Sequence, residues 1–160
     1  MRRVYIETSV VSYLVARDSR DSTVLGRQNS TRAWWMSQKS YYELFVSEVV
    51  LEEAGRGNPS YASLRVEALD SLPVLAATPQ ALLLAERLVN LNAVPATAAE
   101  DAAHIAIAAV HSMDYLLTWN FRHINQASKR RAIEAVCVVE GFVCPVICSP
   151  DALMGEKDES

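Results

Sequence analysis

Short apolar runs alternate with longer amphipathic stretches along this chain. Val4-Tyr5-Ile6, Glu43-Leu44-Phe45-Val46, Pro73-Val74-Leu75-Ala76 and Tyr115-Leu116-Leu117-Thr118 read as strands. Cys144-Pro145-Val146-Ile147 reads as a fifth. Its proline confines it to a sheet edge, because proline has no N–H to donate to a central ladder. Helical patterns lie between these runs. Ser9 starts one carrying Val10, Val11, Tyr13 and Leu14. Residues 17–30 are polar and read as a loop or an exposed helix start, before a helix from Thr31 to Tyr42. Ser47 suits an N-cap, because its hydroxyl can accept from a free N–H of the first turn. The helix behind it carries Val49, Val50, Glu52 and Glu53 and stops at Gly55 and Gly57. Asn58-Pro59-Ser60 opens another helix, ending near Leu69. Thr78-Pro79 places a cap before a proline at the first helical position, and that helix runs to about Leu91. Thr97 and Glu100 have capping-box spacing in front of an apolar helix, Asp101 to His111. A last helix covers roughly 127–138. The alternation predicts one α/β domain over residues 1–150, with about five short strands in a small, mostly parallel sheet flanked by helices. Residues 151–160 read as a charged tail.

Ligands of open α/β sheets bind beyond the carboxyl ends of the strands. Glu7 follows the first strand; Glu48, Glu52 and Glu53 follow the second; Asn120 follows the fourth. Asp101 opens the helix that leads into the fourth strand. An acid in a first turn often does no more than complement the helix dipole. Several acids at one sheet edge repel one another unless they share protons or hold a cation. An all-oxygen donor set suits a hard cation such as Mg²⁺ or Mn²⁺, and such an ion suits phosphodiester hydrolysis.

Composition narrows the partners. Of 160 residues, 51% are hydrophobic and 21% charged, which excludes a disordered chain. No apolar run reaches the roughly 18 residues of a membrane span, and polar residues interrupt the segment behind Met1-Arg2-Arg3, so a cytoplasmic protein is expected. Cys137, Cys144 and Cys148 are an odd number and suit small buried residues rather than a disulfide framework. The net charge of −4 argues against a strongly basic nucleic-acid binder. That acidity is segregated, however. From Val66 to Phe121 a single basic residue, Arg87, faces six acids, so the rest of the chain is far less acidic. Arg122, Lys129, Arg130 and Arg131 form a basic cluster beyond Asn120 that could guide a phosphate backbone or simply be a solvated helix face. Trp34, Trp35, Tyr41 and Tyr42 could stack bases, but aromatic residues at this density more often form core or a protein contact.

Four segments together resemble PIN-domain proteins of the branch related to the VapC toxins. Tyr5-Ile6-Glu7-Thr8-Ser9 is similar to the opening motif, with Glu7 where most members have Asp. Val46-Ser47-Glu48-Val49-Val50-Leu51-Glu52-Glu53-Ala54 resembles the second motif, whose spacing selects Glu53, with Glu52 as the alternative. Asp101-Ala102-Ala103-His104 resembles the third and Thr118-Trp119-Asn120-Phe121-Arg122-His123 the fourth, where His123 stands in place of a frequent second acid. The likeness spans roughly residues 4–148.

This resemblance implies a single PIN-like domain and a Mg²⁺- or Mn²⁺-dependent ribonuclease, the toxin of a type II toxin–antitoxin pair. RNA, a small antitoxin and a second copy of the chain are the partners implied. Glu7, Glu53 and Asp101 would hold the metal, and Asn120 would orient water or complete the shell. Thr8, Ser9 and Thr118 would contact phosphate or buttress a carboxylate; Arg122, His123, Lys129 and Arg130 would meet the substrate. His104 shares a helical face with Asp101 and is expected to pack or bond a neighbour rather than ligate. The alternative is a weak or inactive PIN-like module that works by binding protein; Glu7 in place of Asp and the Asn120/His123 combination favour it. A phosphate-binding loop, a dinucleotide fingerprint and a serine-hydrolase elbow are absent.

Overall fold

Val4, Tyr5 and Ile6 have no exposed surface. A strand buried on both faces reads as an unbroken apolar run, and this one occupies the middle of the sheet. The computed structural model describes residues 1–155. Its strands are β1 (Arg2–Ile6), β2 (Tyr42–Ser47), β3 (Val74–Leu75), β4 (Tyr115–Leu117) and β5 (Val146–Cys148), in the order β3-β2-β1-β4-β5. All neighbouring pairs are parallel; Val4 lies against Leu44 on one side and Tyr115 on the other. The expected fifth strand forms at the edge, immediately after Pro145.

Seven α-helices among the described residues join the strands: α1 (Thr8–Val15), α2 (Ser22–Ser37), α3 (Glu48–Ala54), α4 (Pro59–Leu69), α5 (Pro79–Asn90), α6 (Ala99–Val110) and α7 (Ala127–Val139). Ala102, Ala106 and Ala109 keep α6 slim, so it lies deep in the core and packs extensively on α5, whose buried positions are Ala81, Leu84 and Leu88. None of these helices is long and apolar enough to cross a membrane. The packed part runs past residue 150, since Leu153 joins the core at 1% exposure. Residues 156–160 of the expected tail lie outside the described residues.

Three local expectations need correction. First, α2 begins at Ser22, within the stretch read as polar loop. Its buried positions are Gln28, Thr31 and Trp34, two of them polar, so no apolar periodicity marks the helix. Asp21 caps it, accepting from Val24 N at 3.0 Å. Asp21→Ala should therefore lower stability by about 1 kcal/mol, measured by urea unfolding; an unchanged midpoint would refute the cap. Second, the capping box before α6 does not form. Residues 96–98 make a 3₁₀ turn, so Thr97 is already inside a helical turn and cannot adopt the extended N-cap backbone. Glu100 instead pairs with Arg56 at 2.9 Å. Third, the helix expected to run to Tyr42 ends at Ser37 and Tyr42 opens β2, where it is buried and stacked on Trp34 at 5.9 Å, both as core residues. The three cysteines are free.

Candidate functional site

Parallel strands bring their carboxyl ends to one edge, where Glu7 follows β1 directly. Its backbone is extended and it caps α1 with its own side chain, so the helix starts at Thr8 rather than Ser9. Oε2 accepts from Ser9 N at 2.6 Å and Oε1 from Ser9 Oγ at 2.8 Å. Thr118 Oγ1 also donates to Oε1. These three donors offset the desolvation of a carboxylate on a residue that is 5% exposed. Ser9 Oγ in turn accepts from Trp119 N, and Thr118 Oγ1 from Asn120 N, both at 2.9 Å. Glu7 is thereby stitched to the end of β4.

Glu53 and Glu52 are neighbours on α3 and point apart. Glu52 has a side chain 72% exposed and pairs with Arg56 at 3.0 Å. Glu53 has a side chain 19% exposed; its Oε1 accepts from Thr8 Oγ1 at 2.7 Å and meets His104 Nε2 at 2.5 Å. Burial by itself would raise the Glu53 carboxyl. The hydrogen bond and charge of His104, with the Thr8 hydroxyl, outweigh it and bring the pKa down to about 2. Burial would conversely lower His104, but the bond to Glu53 and the charges of Glu7, Glu53 and Asp101 raise it. A charged His104 donates from both ring nitrogens: Nε2 to Glu53, and Nδ1 to Tyr5 Oη at 2.7 Å. Burial pushes the Tyr5 phenol far up, so it stays protonated and donates to Ser47 Oγ at 2.7 Å. Ser47 Oγ also accepts from Val50 N and so caps α3 as the sequence predicts. A buried chain thus runs from the α3 cap through β1 and α6 to Glu53.

Asp101 stands in the first turn of α6. Its Oδ2 is 2.9 Å from His123 Nδ1, and His123 N donates to Asn120 Oδ1 at 3.0 Å. Glu7, Glu53, Asp101 and Asn120 therefore belong to one edge, linked by Thr8, Thr118 and His123. Thr8, Ser9 and Thr118, expected as phosphate contacts or buttresses, all touch carboxylates. Each hydroxyl has a single proton and it goes to a carboxylate. The basic cluster divides. Arg122 and Lys129 line one cavity with His123. Arg130 turns away, toward Asn125 Oδ1 at 2.7 Å. Sequence reasoning missed Arg27 of α2, whose guanidinium lies 5.7 Å from the Trp119 ring centroid and 5.1 Å from that of Phe121. No spacing along the chain connects those residues.

In donor chemistry alone the set suits a hard divalent cation. Glu7, Glu53 and Asp101 offer oxygen alone. Thr8 and His104 share Glu53 Oε1, and the bond to Asp101 falls on Oδ2, leaving Asp101 Oδ1 for an external ligand. Among the described residues no three His, Cys, Asp or Glu side chains enclose an ion by themselves. Mg²⁺ does not demand such a cage, since it usually keeps several waters and takes one or two carboxylates plus phosphate oxygens.

No family model matches the chain, and no curated protein matches it in sequence. Solved structures do match the fold. One is VapBC2 from Rickettsia felis bound to a DNA fragment from its promoter, with a TM-score of 0.54 at 11% identity over 92% of this chain and 98% of that one. Another is Mycobacterium tuberculosis VapC20, a sarcin–ricin loop cleaving toxin, with a TM-score of 0.53 at 17% identity over 88% and 96%. The chain has the VapC-like, PIN-type fold.

Proposed function

We propose that this protein is a metal-dependent endoribonuclease and the toxin of a type II toxin–antitoxin pair. The observation that carries this reading is the arrival of Glu7, Glu53 and Asp101 at one sheet edge, joined through Thr8, Thr118, Asn120 and His123. The fold shared with a sarcin–ricin loop cleaving toxin and with VapBC2 supports an RNA substrate and a small antitoxin partner. A second copy of the chain and a cytoplasmic setting complete the proposal.

Glu7, Glu53 and Asp101 would hold Mg²⁺ or Mn²⁺. When bound, such an ion offsets charge on a phosphodiester and makes water a stronger acid. The protein's own groups do the positioning. Thr8, Ser9 and Thr118 fix two of the carboxylates. Asn120 accepts from His123 N through Oδ1, which orients its carboxamide and leaves the NH₂ free to donate to a phosphate oxygen or a water. Arg122 and Lys129 attract the RNA backbone.

Purified protein should cut single-stranded RNA with Mn²⁺ supplied and stop when EDTA is added. Glu53→Gln should lower the rate by at least about 100-fold. Cleavage that persists in EDTA would overturn the metal role. One observation favours the second reading, a partner-binding module without activity: His104 and His123 already sit on Glu53 and Asp101. Calorimetric titration with Mn²⁺ separates the two, since absence of binding at millimolar metal supports the inactive module.

A further inference from the structure

Arg122 and Lys129 have no carboxylate partner among the described residues. Both line a cavity of about 290 Å³, together with Asn92, Pro95, His123 and Gln126. The Asn92 and Gln126 carboxamides are likewise unused by the described residues. His123 forms the wall nearest the carboxylate edge, because its Nδ1 meets Asp101. A single exposed cation is ordinarily a solvated surface group. Two unpaired cations and two unpaired amides around one concavity are a different case. They make the small set of convergent polar groups that fixes a ligand's orientation.

The chemistry of that set defines the ligand. Two cations call for an anion, and an arginine matches a phosphate through paired N–H groups. Each carboxamide presents a donor beside an acceptor, which complements the donor–acceptor edge of a nucleobase. Pro95 adds an apolar surface for a ring face. The volume lies at the lower limit of ligand sites, roughly 300–1,000 Å³, so it suits one nucleotide and not a longer segment. We propose that this cavity is a subsite for a single nucleotide of an RNA strand, with the phosphate on Arg122 and Lys129 and the base edge on Asn92 and Gln126. The subsite rests on the ribonuclease reading and would select the nucleotide beside the cleaved bond.

The test uses isotope-labelled full-length protein titrated with the four nucleoside 5′-monophosphates and, separately, with inorganic phosphate. At least one nucleotide should bind about tenfold or more tighter than phosphate and shift the Asn92 and Gln126 side-chain amide signals. The double variant Arg122→Ala/Lys129→Ala should weaken it by about tenfold or more. Asn92→Ala with Gln126→Ala should change the ranking of the four nucleotides. Nucleotides binding no tighter than phosphate would reduce the cavity to an anion patch and overturn the proposal; so would affinity untouched by the double variant. Glu53→Gln keeps the two readings apart, because it should lose RNA cleavage yet retain nucleotide affinity. Nucleotide binding of this pattern in a wild-type protein that cuts no RNA would sink the ribonuclease and leave a nucleotide site. Cleavage of every RNA at wild-type rate by Arg122→Ala/Lys129→Ala would sink the subsite and leave the ribonuclease.

Discussion

Asp101→Asn should lower RNA cleavage by at least about 100-fold while the protein stays folded. The substitution preserves shape and keeps one oxygen, which the new carboxamide can turn toward His123 Nδ1, the partner of Asp101 at 2.9 Å. What disappears is a negative charge at the edge shared with Glu7 and Glu53. The fold loses little: an acid in the first turn of α6 contributes about 0.3–1 kcal/mol through the helix dipole. In a domain of this size that corresponds to a melting shift of no more than about 2–4 °C. Glu52→Gln is the control. Its side chain is largely solvated and pairs with Arg56, so cleavage should continue at the wild-type rate. A fluorogenic RNA assay and a melting curve on both variants decide the matter. Full activity in Asp101→Asn would remove Asp101 from the site. A large loss in Glu52→Gln would mean that the face of α3 has been misidentified.

The two glutamates also mark what the sequence can and cannot specify. Apolar runs such as Val4-Tyr5-Ile6 and Tyr115-Leu116-Leu117 announce buried parallel strands, so the alternating fold and the residues following each strand are readable in order. That order brings Glu7, Asp101 and Asn120 to one edge without any knowledge of distances. The choice between Glu52 and Glu53 depends on which way one turn of α3 faces, and a motif spacing leaves a neighbour as an alternative. Other features depend on contacts between distant positions. Thr8 reaches Glu53 across 45 positions and Thr118 reaches Glu7 across 111, so the use of these hydroxyls as buttresses has no local signature. The cap function of Glu7 is hidden for another reason: glutamate is not among the preferred N-cap residues, and Ser9, two positions on, is. The placement of Arg27 arises from helix orientation, which periodicity does not record when a helix buries polar residues, as α2 does.

His104 is the other position where a large effect is expected. His104→Ala should destabilise the protein by about 3–5 kcal/mol, the usual cost of removing one partner from a buried charge pair. His104 is 1% exposed, and its loss strips Glu53 of its cation and Tyr5 Oη of a donor. The size of the effect should depend on pH in two opposite ways. Glu53 has a folded pKa held below its ordinary value of 4.5, so its contribution is present above 4.5 and fades as pH falls toward about 2. His104 has a folded pKa raised above 6.5, with Glu7 and Asp101 adding to the effect of Glu53. Its contribution is complete below 6.5 and fades as pH rises through the folded value. The stability difference between wild type and His104→Ala should therefore peak between about pH 4.5 and 6.5 and shrink on both sides. Urea unfolding from about pH 2 to 9, with EDTA present to keep metal from Glu53, measures it directly. A difference that stays flat from acid to alkaline pH would make His104 a neutral packing residue. In that event the buried chain from Ser47 through Tyr5 would end in an ordinary hydrogen bond rather than an ion pair.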